Sequence, residues 1–159
     1  MTNQEIIINF KSYNRGLELD NLQRKTLEAA QQATQLAYAP FSNFFVGAAL
    51  LLENETIILG CNQENASYPC GICAERAALF SYGNLIESIP IKKLAVNVRN
   101  QKNHHPVAPC GLCRQVISEF ELKNNQPIEI ILGDLNNNTY VFKSSLDLLP
   151  LQFHSGFLK

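Results

Sequence analysis

The chain has 159 residues, of which 46% are hydrophobic, and a formal net charge of −1, with an isoelectric point near 6.3. That length and apolar content suit one globular domain with a sizeable core and leave no room for a second. Lys and Arg are scattered, without the basic stripe that a polynucleotide substrate calls for, and no apolar run approaches membrane-spanning length.

Residues 1–20, with Ile6-Ile7-Ile8 and Phe10, form an N-terminal extension that either adds an edge strand or covers a subunit contact. From residue 21 to 38, Leu22, Leu27, Ala30, Ala33, Leu36 and Ala37 recur at near-helical spacing until Pro40, which predicts a helix over 21–38. Residues 46–52 are apolar almost throughout, and 57–61 follow after the short polar break Glu53-Asn54-Glu55, predicting an antiparallel hairpin. Pro69 and Gly71 then break the chain before a helical run at 74–80. A third strand at 94–98 feeds another helix at 114–120, again preceded by a breaker pair, Pro109 and Gly111. Strands at 128–132 and 139–142 are joined by Gly133-Asp134-Leu135-Asn136-Asn137-Asn138, too short for a parallel crossover, so this last pair is predicted antiparallel. A short helix at 144–149 stops at Pro150. The expected fold class is α/β, a three-layer α/β/α arrangement around a mixed five-stranded sheet, with residues 21–159 as a single domain.

The chemistry-bearing residues cluster at the two helix starts. Cys73-Ala74-Glu75 followed much later by Pro109-Cys110-Gly111-Leu112-Cys113 offers three thiols and one carboxylate. A catalytic zinc keeps one of four positions open for water, so three protein ligands is the diagnostic number, and Cys73, Cys110 and Cys113 supply them. Glu75, two residues past Cys73 on the first helical turn, can point beside the metal without binding it and shuttle a proton. Three thiolates on one Zn²⁺ carry a net charge of −1, which weakens it as a Lewis acid. Two helix N-termini aimed at the sulfurs offset that charge, with Arg76 and Arg114 available to add full charges. A closed four-thiolate structural site with Cys70 is the alternative, but it leaves Glu75 without a task. Cys61 reads as core, and His104-His105, in a polar loop, as solvated side chains.

Four segments carry a resemblance. Phe44-Phe45-Val46-Gly47-Ala48-Ala49-Leu50, Gly60-Cys61-Asn62-Gln63-Glu64-Asn65-Ala66, Tyr68-Pro69-Cys70-Gly71-Ile72-Cys73-Ala74-Glu75-Arg76 and Pro109-Cys110-Gly111-Leu112-Cys113-Arg114-Gln115 follow one another in the order found in the small zinc-dependent cytidine deaminases, which the chain resembles from Pro40 to about Phe153. The resemblance implies hydrolytic deamination of cytidine and deoxycytidine, with one Zn²⁺ per subunit and Glu75 as the proton shuttle. It also implies that Asn62 and Glu64 grip the ribose hydroxyls, that Phe44 packs on the base, and that backbone groups near Ala74 and Pro109 orient it. Ala66, Tyr68 and Phe153 would reach a neighbouring subunit's pocket in a homotetramer, and Arg76 and Gln115 would stand just outside the metal ligands. Phe41, Phe45 and Cys70 depart from the family pattern and bear on fine specificity. A relative acting on a cytosine-bearing antibiotic nucleoside of the blasticidin type, and a non-catalytic zinc module, are the alternatives.

The expected partner is therefore a free nucleoside, with no nucleic acid and no membrane. The start Met1-Thr2-Asn3-Gln4-Glu5 lacks a signal-peptide pattern and the odd count of five cysteines argues against a disulfide framework. A reducing, cytoplasmic setting and a role in pyrimidine salvage follow as expectations.

Overall fold

The computed structural model describes residues 1–87, 89–99 and 105–158, so the expectation for His104 lies outside the described residues. In chain order the elements are β1 (Lys11–Tyr13), α1 (Asn21–Ala33), β2 (Phe45–Leu52), β3 (Ile57–Cys61), α2 (Ala74–Tyr82), β4 (Ile91–Arg99), α3 (Gly111–Asn124), β5 (Glu129–Gly133) and β6 (Thr139–Phe142). They form one mixed sheet in the order β1-β6-β5-β4-β2-β3. The hairpin β2–β3 and the last pair β5–β6 are antiparallel, as the short connections require. β4 and β5 are parallel, and α3 is the crossover between them.

The period-2 alternation of the strands divides the core into two layers. Ala48, Leu50 and Leu52 of β2, Leu94 and Val96 of β4, and Ile130 and Leu132 of β5 face α2 and α3, together with Ala78, Leu79 and Ile117. The intervening Ala49, Ala95 and Ile131 face α1 through Leu27 and Ala30. Small residues on the α1 side let that helix lie close to the sheet. A Cβ at Gly47 would stand 2.1 Å from the Ala30 carbonyl oxygen and 2.6 Å from the Thr34 nitrogen. The three-layer arrangement is thus set by which side of each strand carries bulk.

Three expectations are corrected. The sheet has six strands rather than five, because β1 pairs antiparallel with β6, Lys11 opposite Val141 and Tyr13 opposite Thr139. Phe10, just before β1, packs on Tyr140 and Phe142 with ring centroids 5.0 Å apart in each case. Three residues are too few to show a strand period, so the pairing was not legible beforehand. The first helix ends at Ala33, followed by one 3₁₀ turn over Thr34–Leu36, instead of running to residue 38. Tyr38 is drawn off the helix into a bridge with Gln63: its N–H donates to the Asn62 carbonyl at 3.0 Å and its carbonyl accepts from Glu64 N–H at 2.8 Å. The short helix expected at 144–149 is likewise a single 3₁₀ turn over Ser145–Asp147.

Candidate metal centre and the cavity beside it

Both metal helices begin on a cysteine. Cys73 is the N-cap of α2 and Cys110 the N-cap of α3, each in extended backbone geometry, and Cys113 lies in the first turn of α3. Their sulfurs all lie within 4.8 Å of one another, and Cys110 Sγ and Cys113 Sγ are 3.5 Å apart. Thiolates at about 2.3 Å from a tetrahedral zinc stand roughly 3.8 Å from each other, so the three sulfurs fit one ion. Neither N-cap sulfur accepts a capping hydrogen bond from its own helix, which leaves its lone pairs for a metal. Among the described residues no other Cys, His or carboxylate joins the group. Cys70 is exposed and outside it, so the four-thiolate alternative is not what the fold assembles.

The closeness of the three sulfurs explains why a cation belongs among them. Cys73 is lowered to about 5, first by the hydrogen bond from the Cys113 thiol and then by Arg76, whose Nη2 lies 3.8 Å from Cys73 Sγ. Cys113 is pushed far up, because it keeps the proton it shares with the Cys73 thiolate and is also buried. Three sulfurs this close cannot all be anionic without a positive charge, and zinc uptake would release the shared proton. Arg76 Nε is buried with no partner among the described residues.

Glu75 is 5% exposed. Burial raises its pKa above the ordinary carboxylate value, and the Cys73 thiolate adds to the shift. The carboxyl group is set by the packing of α2: a Cβ at Gly60 of β3 would stand 2.4 Å from the Ala74 carbonyl oxygen and 2.4 Å from the Ala78 nitrogen. Only glycine lets the helix start this near the sheet.

Cys73, Glu75, Arg76 and Cys110 border a cavity of about 760 Å³, large enough for a nucleoside-sized ligand. Of the other expected residues, Phe44, Asn62, Glu64 and Tyr68 also line it. Asn62 Oδ1 accepts from Val46 N–H at 2.8 Å and its Nδ2 donates to the Phe44 carbonyl at 2.9 Å, leaving one amide hydrogen and one lone pair unspent. Glu64 collects Phe41 N–H at 2.9 Å, Ser42 N–H at 3.3 Å and the Ser42 hydroxyl. That hydroxyl, more than the two backbone donors, holds its carboxyl below the usual range. Phe41 lines the cavity as well and meets Tyr68 edge to face, with centroids 5.9 Å apart.

Other expected residues lie elsewhere. Ala74 is buried at the first position of α2, and Ala66 is exposed outside the cavity lining. Arg114 points away from the thiols: its Nε donates to the Pro109 carbonyl at 2.7 Å and its Nη1 to the Leu148 carbonyl at 2.9 Å. Gln115 Nε2 donates to the Phe153 carbonyl at 2.9 Å, and both residues border a second cavity, with Phe80, Phe120 and His154. Phe153, 56% exposed, stacks on Phe157 and does not reach its own chain's larger cavity. Ser42 and the walls Val96 and Val98 were not singled out from the sequence; a hydroxyl inside the turn-forming run Pro40-Phe41-Ser42-Asn43 was the available signal for Ser42.

A profile of the cytidine and deoxycytidylate deaminase zinc-binding region matches residues 20–126. The chain belongs to that family. It is 42% identical over 118 residues to the cytidine deaminase of Sporosarcina psychrophila, covering 72% of this chain and 82% of the relative. Against the cytidine deaminase of Halalkalibacterium halodurans it is 38% identical over 128 residues, 80% of this chain and 90% of the relative. The crystal structure of cytidine deaminase from Burkholderia pseudomallei superposes with a TM-score of 0.72 at 42% identity, over 82% of this chain and 98% of that one. For a deaminase of this zinc-binding family, the three-sulfur group fits one zinc ion per subunit.

Proposed function

We infer that the protein is a zinc-dependent hydrolase that deaminates cytidine and deoxycytidine to uridine and deoxyuridine, releasing ammonia. The observation that carries this is the convergence of Cys73, Cys110 and Cys113 at two helix starts, with the buried Glu75 beside them at the wall of a nucleoside-sized cavity. The relatives named above are themselves cytidine deaminases. Held by the three thiolates, zinc would supply a Lewis acid that acidifies water.

The chain's own residues do the rest. Glu75, whose pKa burial raises above the ordinary carboxylate value, takes a proton from the attacking water and delivers it to ring N3. Once the water oxygen has bonded to C4, the same carboxylate takes the remaining proton of that hydroxyl and passes it to the amino group, and ammonia leaves as the C4 carbonyl forms. Asn62 and Glu64 engage the sugar hydroxyls and Phe44 packs on the base, with the backbone near Ala74 and Pro109 orienting it. The partly exposed Phe153 and the 76% exposed Tyr68 gain a partner surface if the enzyme assembles as a homotetramer with shared active sites. Pyrimidine salvage in the cytoplasm is the setting such an activity suits; no helix among the described residues is long and apolar enough to cross a membrane.

Ultraviolet assay of cytidine loss, with wild type and Glu75→Gln compared at equal zinc content, tests the assignment. The amide cannot carry the proton, so turnover should fall by roughly 10²- to 10⁴-fold. Equal activity in the two proteins, or none in either, would overturn it.

A further inference from the structure

Ser42 sits at the join between the two halves of the cavity wall. Its hydroxyl donates to Glu64 Oε1 and accepts from Phe44 N–H at 3.0 Å. The Phe44 carbonyl in turn accepts from Asn62 Nδ2 at 2.9 Å. One side chain therefore completes a circuit through Glu64, Phe44 and Asn62, joining the turn after β3 to the loop before β2. The backbone conspires in this: Asn43 takes a left-handed conformation at φ 55° and its N–H returns to the Ala39 carbonyl at 3.0 Å, which curls residues 40–44 around the Glu64 carboxylate. Ser42 is exposed and borders the cavity, so its hydroxyl is not needed to fill a core.

We propose that Ser42 is a positioning residue of the sugar subsite, fixing the Glu64 carboxylate and the Phe44 backbone together so that hydroxyl binding and base packing occur in one register. The proposal rests on Glu64 and Phe44 contacting sugar and base as set out above. A carboxylate has four acceptor directions. Three are taken by Phe41 N–H, Ser42 N–H and the Ser42 hydroxyl, which leaves the remaining one aimed by its neighbours rather than free to rotate. Losing the hydroxyl leaves Oε2 with its two backbone donors but releases Oε1, which loosens the aim of the carboxylate about a terminal torsion of broad preference, and unlatches Phe44 N–H at the same time.

The test compares two substrates in wild type, Ser42→Ala and Ser42→Thr: cytidine, and 2′,3′-dideoxycytidine, which lacks the hydroxyls that Glu64 would bind. Ser42→Ala should lower kcat/KM for cytidine by ~10-fold, mainly through KM, and by a factor of only about two for the dideoxy substrate, so that discrimination between them shrinks. Ser42→Thr keeps a hydroxyl and should restore most of the discrimination. Zinc content and melting midpoint are measured alongside, since a merely structural defect lowers activity on both substrates equally; that result, or unchanged discrimination in Ser42→Ala, overturns the proposal. Absence of cytidine turnover in the wild type would instead overturn the enzymatic assignment, and a wild type that treats both substrates alike would remove the sugar role of Glu64 and this proposal with it.

Discussion

Glu75 is held in a place that suits its task and costs the fold. A carboxyl group with this little water around it, beside the Cys73 thiolate, is easier to keep neutral than charged. Its folded pKa lies above the unfolded value of about 4.3, so its contribution to stability is present below that value and is lost as pH rises through the folded one. Glu75→Gln, neutral throughout, escapes the loss. In metal-free protein the variant's melting midpoint should match wild type near pH 4 and exceed it increasingly as pH rises through the folded value; calorimetry showing parallel curves would contradict this. Arg76 is tested by its metal. Its guanidinium stands 3.8 Å from Cys73 Sγ and favours the thiolate, so Arg76→Ala should weaken zinc binding by ~10- to 100-fold in competition with a chelator. An unchanged zinc affinity would show the contact to be incidental. The spacing of Cys73, Glu75, Cys110 and Cys113 was legible in the sequence because each pair sits within one helical turn, where separation along the chain dictates separation in space. Ser42 against Glu64 was not, since those residues meet only through the Tyr38–Gln63 bridge.

At the scale of elements, the site depends on how closely α2 approaches β3. Gly60→Ala would drive a methyl group into the backbone at Ala74 and Ala78, and that backbone carries Cys73 and Glu75 at its start. Gly47→Ala makes an equally severe clash with α1, a helix that bears no metal ligand. Both should destabilise by about 1–3 kcal/mol or more, but only Gly60→Ala should also reduce zinc occupancy per folded molecule; metal analysis after thermal-melt verification of folding separates the two, and equal occupancy would count against the role given to Gly60. Helix boundaries show what periodicity misses. Asp20 caps α1 with a reciprocal Asp20–Gln23 box, whereas the other end is set by the pairing of Tyr38 with the turn after β3, which no local pattern displays.

Across the whole molecule, α3 ties the metal to the C-terminal tail. Cys110 and Cys113 occupy its start; further along, Arg114 and Gln115 hold the Leu148 and Phe153 carbonyls, Ser118 meets Gln152, and Glu121 accepts from Ser145 N–H at 3.0 Å and Ile128 N–H at 2.8 Å. The tail is thereby presented as a fixed surface carrying Phe153 away from its own chain's larger cavity. If Phe153 serves a neighbouring subunit, light scattering should give a mass near four times the 17.8 kDa chain, and Phe153→Ala should raise KM for cytidine by ~10-fold at unchanged zinc content. A fully active monomer, or a variant with native KM, would contradict the shared-site assembly.

The sequence by itself determined the thiols and carboxylate of the candidate centre, the two helix starts that bear them, the hairpin and the antiparallel last strand pair, because each depends on interactions within a few residues. Only the tertiary structure decided that Cys70 stays out of the sulfur group, that Arg114 and Gln115 hold the tail, that residues 11–13 add a sixth strand, and that Ser42 latches onto Glu64. Those outcomes depend on which distant segments the packed sheet brings side by side, and hydrogen-bonding partners chosen at that range leave no period or spacing in the chain.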